Sequence, residues 1–481
     1  LMTNHSIFEY LWMCVLLCLA FVVYFCSGEK GILLYFTMML GMKEVSTSRT
    51  MRVGRAILGI SFPLLTVLSL TGVLDELSRM NERTGLGFML RHALGYPYPN
   101  TMHTTYLILV MLILYLYQAP SLKHLLFVSL LLMAGNCYLY FMAFSNTGFI
   151  SVTFYLCLHF FLMWRGKLGK PLSVLAELVF PLTVAFSVLG PILITGDGFR
   201  FMNKLLHNRY KFARYFLENE RITLFGSRFS TAPTNWYMID NAFLYLFLQL
   251  GVVTFVVVCL IQLVMIHWII WENRLRELAI ILTFCLIGMS DPFLYNLGYK
   301  NISFLFAGEC LFLLSPQIER RLPALLQTRC RIIAAGGNEV SLAWRRSLSD
   351  LEIRIMAHLQ THVRRYLLIF AVAALLGGGA YAILVKEPSV LYVDEWTNDP
   401  YNKRSDSVYI SEEEYAALSG SGSALFEDYV DGETPMHQYE GTAPRWEYLR
   451  GIVSGGLFVG AAAACAVLWR SIRIRRKGER T

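Results

Sequence analysis

Stretches such as "LWMCVLLCLAFVVYF" (11–25) recur along the chain, and they leave few folds open. In helical form, about 20 apolar residues match the roughly 30 Å hydrocarbon core of a bilayer. Strands would leave open edges that lipid cannot satisfy, so helices are the expected spanning element. Spans are expected near 7–26, 30–43, 54–74, 102–118, 121–144, 147–164, 172–195, 238–265, 277–293, 299–315, 366–385 and 450–469. With 56% hydrophobic and only 16% charged residues, the chain is too apolar for a soluble protein. The expected fold is all-α and polytopic, with about twelve transmembrane helices.

A formal charge of +8 suggests nucleic acid as a partner, but its distribution argues otherwise. The cations fall in a loop with Lys43, Arg49, Arg52 and Arg55, in one with Arg165, Lys167 and Lys170, at Arg274 and Arg276, through 318–365, and in the tail "RSIRIRRKGER". All five lie on one side if the spans alternate, and the positive-inside tendency makes that side cytoplasmic. Both termini are then inside, and nucleic acid is excluded as a partner. Most of the ten cysteines sit within spans. No long outer loop holds one and no C-x-x-C occurs, so neither a structural disulfide nor a metal site is expected. The first span lacks a small-residue cleavage site and reads as a retained helix.

This topology places 75–101, a turn near 145–148, the long loop 196–237, a turn at 291–300 and the segment 386–449 outside. The loop 196–237 carries Arg200, Lys204, His207, Arg209, Lys211, Arg214, Arg221 and Arg228. That excess of cations runs against the positive-inside tendency. Leu206, Tyr210, Ala213 and Leu217 share one helical face, so the loop is expected to contain short amphipathic helices at the interface. Two readings stand side by side. The helix contacts phospholipid headgroups, or its arginine forks hold a lipid-linked pyrophosphate. Asp240 and Asn241 follow at the mouth of the next span, as a general base or as a helix cap. In "RHALGYPYPNTMH" (91–103), Gly95, Pro97 and Pro99 force a turn beside Arg91, His92, Tyr98, Asn100 and His103. His92 suits acid–base work or a solvated turn. Glu177 and Glu309 fall within spans, where acids are costly; they are gates of a transporter or partners of buried cations.

Beyond the apolar body, Leu348, Leu351, Ile355, Leu359 and Val363 recur at helical spacing, with Ser349 and Glu352 as a capping box. Decorated with arginines, this helix is expected to lie on the anionic inner leaflet. The segment 386–449 is acidic and aromatic and contains "SGSGS", a linker composition; it lacks ordered calcium-loop spacing. The expected organisation is a core over 1–315, a cytoplasmic basic segment over 316–365, and a hairpin over 366–481 that flanks a small outer module, 386–449.

The runs "SGEKGILLYFTMMLGMKEV", "LRHALGYPYPNTMH", "SNTGF", "NKLLHNRYKFARYF…ITLFGS…IDNAFLYLFLQLGVV" and "MSDPFLYNLGYKNISFL" together resemble the Wzy-type polysaccharide polymerases of capsule and exopolysaccharide synthesis, over roughly residues 7–315. Those enzymes are related to the O-antigen ligases. The resemblance implies a multi-pass protein of the bacterial cytoplasmic membrane with its active site on the extracytoplasmic face. It implies metal-independent, inverting transfer of glycan from an undecaprenyl-pyrophosphate donor, without a cofactor, onto a hydroxyl of the incoming lipid-linked repeat unit. A flippase and a chain-length regulator are further partners such an enzyme works with. Arg91, Gly95, Tyr96, Pro99 and Asn100 match the family's arginine and "G-F-x-H-P-N" turn, with Tyr98 where a histidine is common. Arg209 matches a "G-R" pair with Asn208 in place of glycine. Asp240 and Asn241 match a "D-N" pair, which makes Asp240 the base. Ser145-Asn146-Thr147-Gly148 is similar to "S-R-T-G" with the arginine lost. Asp291 and Asn301 match an acid and an asparagine near the last shared spans.

The residues expected to carry chemistry are therefore Asp240, Arg209 and Arg91. Arg200, Lys204, His207, Arg214, His92, Tyr98, Asn100, Asn241 and Asp291 are expected to bind substrate. His92 and His207 are alternatives for the base. Trp236 and Tyr237, with Tyr98, suit stacking on sugars or a membrane-interface belt. Three rivals remain: a ligase-like transferase with another acceptor, a flippase using Glu177 and Glu309, and a metal-dependent glycosyltransferase using Asp75 and Glu76.

Overall fold

The computed structural model describes residues 4–74, 78–83, 87–229, 232, 238–296, 300–330, 340–387, 390–394, 407–410, 436–440 and 442–478. Asp75, Glu76, Trp236, Tyr237 and most of 386–449 lie outside them. The protein is a mostly helical membrane protein. Among the described residues nine helices are long and apolar enough to cross a bilayer. It divides into two compact units, one of residues 1–62, 103–140 and 145–334, the other of 63–102, 141–144 and 335–481.

The helices are α1 (Ile7–Ser27), α2 (Gly31–Leu40), α3 (Thr47–Leu70), α4 (Pro99–Leu116), α5 (Leu122–Ala143), α6 (Asn146–Arg165), α7 (Lys170–Val188), α8 (Gly190–Leu193), α9 (Gly196–Leu205), α10 (Arg209–Asn219), α11 (Ala242–Leu248), α12 (Val252–Trp271), α13 (Leu275–Gly288), α14 (Ser303–Glu319), α15 (Ala324–Gln327), α16 (Val340–Leu384) and α17 (Thr442–Gly478).

In the first unit, Ser6 caps α1 by accepting from Glu9 N, and the Glu9 carboxylate returns to Ser6 N. Glu9 is buried and pairs with Lys43 and His5. The expected span 238–265 is two helices. The break is built by two glycines with left-handed backbones, Gly226 (φ 85°) and Gly251 (φ 88°). A Cβ on Gly251 would stand 2.3 Å from Gly226 N, so the loop before Asp240 can lie against the break only if both positions are glycine. Val252 N and Val253 N then donate to Thr223 O and Leu224 O at 3.0 and 3.1 Å. Those bonds satisfy amides that the interrupted helix would otherwise leave bare.

The span acids are paired. Glu309 accepts from Arg274 Nη2 (3.0 Å) and Thr47 Oγ1 (2.5 Å), and Glu177 accepts from His267 Nδ1 (2.9 Å).

In the second unit, β1 (Arg79–Arg83) and β2 (Gly87–Arg91) form an antiparallel hairpin with Arg79 opposite Arg91. Further strands Val390–Asp394, Ser407–Ile410 and Met436–Glu440 form a small sheet with the first of them central. Helix α16 begins at Val340, so Ser349 stands inside it rather than capping it. The residues before Ser349, "VSLAWRRSL", form helix readily enough that the capping-box pattern does not set the start. The helix kinks at His362 (φ −119°, ψ 20°), a few residues before the basic stretch gives way to the apolar one after Arg365.

Helices α16 and α17 pair through glycines spaced by four, Gly451/Gly455 and Gly456/Gly460, a pattern that lets helix backbones approach in lipid. A Cβ on Gly456 would stand 2.7 Å from Ala374 O, and one on Gly460 2.8 Å from Phe370 O. Gly456→Leu is therefore expected to force the pair apart at a cost of about 1–3 kcal/mol. A lowered thermal midpoint of the purified protein in detergent checks this; an unchanged midpoint would mean that the helices separate freely.

Candidate functional site

In the first unit, the cationic loop folds as α9 and α10 with a break between them, where His207 (φ 47°) and Asn208 (φ 67°) are left-handed. Leu206 falls in this break rather than on a continuous helix. Helix α10 buries Tyr210, Ala213 and Phe216, whereas Leu217 is only half-buried. The spacing 210, 213, 216 follows from the new start at Arg209.

That start defines the position of Arg209. Its side chain is 15% exposed and lies 3.8 Å from Asp240 Oδ2. At that distance the contact is an ion pair and not a hydrogen bond. Among the described residues the guanidinium's other contact is weak, Nη1 to Leu206 O at 3.4 Å, and its buried Nε has no partner. Arg209 thus holds unspent donors next to a carboxylate.

Asn241, beside Asp240, is the helix cap. Its Oδ1 accepts from Phe243 N and Leu244 N, both at 3.0 Å, and its Nδ2 donates to Met289 O at 3.2 Å. With capping done by Asn241, Asp240 stays outside the helix, 44% exposed at its side chain. Surrounding protein atoms still raise the Asp240 carboxyl above its ordinary value, against the opposing pull of Arg209.

Asp291 shares this neighbourhood. Its Oδ1 accepts from Phe293 N at 3.0 Å and starts the short 3-10 turn Pro292–Leu294. Burial pushes its carboxyl up to about 6, and the negative charge of Asp240 adds to that; the Phe293 amide, Lys300 and Arg209 pull the other way. Lys300 was not expected here, although it stands in the run "NLGYKNISFL". Burial lowers its ammonium to about 8, and it donates to Thr104 Oγ1 at 2.5 Å. Asn301 is structural, donating to Leu294 O and accepting from Ser303 N.

The remaining loop cations divide by their contacts. Arg214 is spent on structure: Nε and Nη2 donate to Pro191 O and Ile194 O at 2.7 Å each, and the guanidinium stacks 3.7 Å from the Phe199 ring centre. Arg200 is exposed and paired with Asp197. Lys204 and His207 are exposed.

In the second unit, Arg91 Nε donates to Ala143 O and Nη2 to Asn100 Oδ1, both at 2.8 Å. Asn100 thus fixes the turn through Arg91, Gly95 supplies its left-handed residue (φ 81°), and Tyr98 is exposed. His92 Nε2 donates to Glu447 Oε2 at 2.6 Å. Neither Glu447 nor its neighbour Arg450 is signalled by local sequence, because their partners lie far away in the chain.

Arg209, Asp240, Asp291 and Lys300 are therefore brought together in the first unit, and Arg91, His92 and Asn100 in the second. What the first group can do is chemically definite. An arginine with free donors can meet anionic oxygens, and a partly exposed carboxylate beside it can take a proton. The chain matches no known family model, no curated protein and no solved structure.

Proposed function

We propose that the protein is a polysaccharide polymerase that joins undecaprenyl-pyrophosphate-linked oligosaccharide repeat units on the outer face of the bacterial cytoplasmic membrane. The observation that carries this reading is the Arg209–Asp240 pair, an arginine with unspent donors 3.8 Å from a carboxylate that is raised above its ordinary value. Arg209 meets the charge that develops on the departing pyrophosphate, which preorganised cations stabilise without a metal. Asp240 takes the proton of the attacking sugar hydroxyl. Arg91 is a further charge-stabilising arginine by resemblance alone, since its Nε and Nη2 are already engaged by Ala143 O and Asn100 Oδ1.

Three features add support. Among the described residues nine helices are long and apolar enough to cross a bilayer, and twelve crossings, with the shorter α2, α13 and α14 counted among them, would put all the basic loops inside. Helix α2 has ten residues and is largely buried, so as a crossing it would need the non-helical backbone at its ends to make up the thickness of the bilayer. An apolar groove of about 280 Å³, lined by Phe154, Leu158, Leu175, Val179, Leu282 and Met289, runs between α6, α7 and α13. Its lining includes Met289, whose carbonyl accepts from Asn241, so it offers an apolar surface for part of a polyprenyl chain beside the proposed site. Glu309 and Glu177, which the flippase reading would use as gates, are both paired, which favours the polymerase reading over it.

The test is a reconstitution. Purified protein with lipid-linked repeat units from its host, in detergent with EDTA, is expected to yield a ladder spaced by one repeat unit. Transport of those units across liposomes with no ladder would replace the polymerase with a flippase. A ladder that EDTA abolishes would replace it with a metal-dependent transferase.

A further inference from the structure

We propose that Arg450 and Glu447, on the first turns of the last helix, are positioning residues for Arg91. This would make the C-terminal hairpin part of the working enzyme rather than an appendage. The inference rests on the polymerase reading for what Arg91 does, and on contacts within the second unit for how Arg91 is held.

The last carbonyls of an α-helix have no partner within it, and its C-terminus carries partial negative charge. At the end of α5, three successive carbonyls find partners from two distant parts of the chain. Phe141 O accepts from Arg450 Nε at 3.0 Å, Met142 O from His92 N at 3.0 Å, and Ala143 O from Arg91 Nε at 2.8 Å. Two guanidinium groups thus share one helix end. Arg450 also reaches the strand that carries Arg91, donating from Nη1 to Leu90 O at 2.5 Å, and it pairs with Glu447. Glu447 closes the loop by accepting from His92. Backbone or side-chain contacts therefore hold residues 90, 91 and 92 in succession.

The setting is rigid. Arg450 is 2% exposed, and its guanidinium lies 5.0 Å from the Phe144 ring centre. Trp446 packs against Phe141 and Phe144 with ring centres 5.3 and 5.8 Å apart. A charge this buried is held by specific partners, and removing one leaves the other exposed to desolvation without compensation. Because α17 begins at Thr442, the helix and not the acidic segment before it supplies these groups.

The experiment is a double-mutant cycle on the full-length protein in detergent, using Arg91→Ala, Arg450→Ala and the pair, with Glu447→Gln as a nearly isosteric second variant. Two quantities are read: amide exchange over 87–102, and turnover at saturating lipid-linked donor. Arg450→Ala is expected to speed exchange in the turn and to lower kcat by about a hundredfold, the typical effect of a ~1 Å misplacement. The pair is expected to be no worse than Arg91→Ala alone, since both changes remove the same interaction. Glu447→Gln is expected to fall in the same direction by less, and Arg450→Lys to recover part of the loss. Losses that multiply in the pair would overturn the positioning role, as would full activity of a folded Glu447→Gln protein with a loosened turn. Unchanged exchange in Arg450→Ala would overturn the bracing itself. A wild-type protein that polymerises nothing would overturn the transferase reading and this role with it. The exchange result tells that failure from a failure of the bracing.

Discussion

Arg209→Ala is expected to lower polymer formation by roughly 10²–10³-fold while the protein still folds. Losing one preorganised donor at a developing anion costs on the order of 3 kcal/mol in the barrier. Arg209 is suited to that loss because its donors are not used to hold the fold. Its contact with Asp240 is long, and among the described residues its Nε has no partner. Helix α10 is anchored instead by Tyr210, Ala213 and Phe216, which the substitution leaves alone. Arg209→Lys should recover little, because an ammonium cannot present two parallel donors to a phosphate. Two neighbours serve as controls. Arg200→Ala should change yield by less than about twofold, since an exposed ion pair contributes little. Arg214→Ala should fail differently, through instability, because it strips two carbonyls and a ring stack of their partner. The measurement is the intensity of the repeat-unit ladder from purified proteins matched for amount. A normal ladder from Arg209→Ala would remove this residue from the chemistry.

The all-α membrane class was legible because apolar length is a local property, written into each stretch separately. What the sequence hid depended on contacts between distant stretches. The apolar run 238–265 reads as one span; its interruption needs Gly251 to meet Gly226 across the intervening loop, and neither glycine announces the other. The capping-box pattern at Ser349 was misleading for the opposite reason. It is a local signal, and helix-forming neighbours on its N-terminal side outweighed it. In the site, charge and spacing singled out Arg209 and Asp240 but did not rank them against Arg200 or Arg214. Ranking needs the hydrogen-bond accounting that separates a spent guanidinium from an unspent one. Lys300 escaped notice because a single lysine between glycine, tyrosine and asparagine has no pattern; only its burial near Asp291 gives it meaning. Glu447 was read as part of the outer segment 386–449 and Arg450 as the first residue of the last span, yet both belong to one helix that starts at Thr442.

Asp240→Asn is expected to lower turnover by about 10²–10⁴-fold, the usual worth of a positioned proton acceptor. An asparagine keeps the size of the side chain and its place beside Asn241, so the cap on α11 should survive. The pH dependence supplies a second, independent sign. A carboxylate accepts a proton only when ionised, so activity should fall as pH drops through its folded-state pKa. Burial raises Asp240 above the ordinary carboxylate value, and the negative charge of Asp240 in turn raises Asp291. The acid limb of the wild-type profile should therefore lie above the range of an exposed aspartate. Asp291→Asn leaves in place the two causes that set Asp240, burial and Arg209. That variant should stay active with its acid limb unmoved, whereas Asp240→Asn should lose the rate at every pH. Turnover of the lipid-linked donor between pH 4 and 8, measured for all three proteins, separates the roles. If Asp291→Asn abolished activity and Asp240→Asn merely shifted the limb, the base would be Asp291. The buried carboxyl held near 6, and not the exposed one at the mouth of α11, would then take the proton.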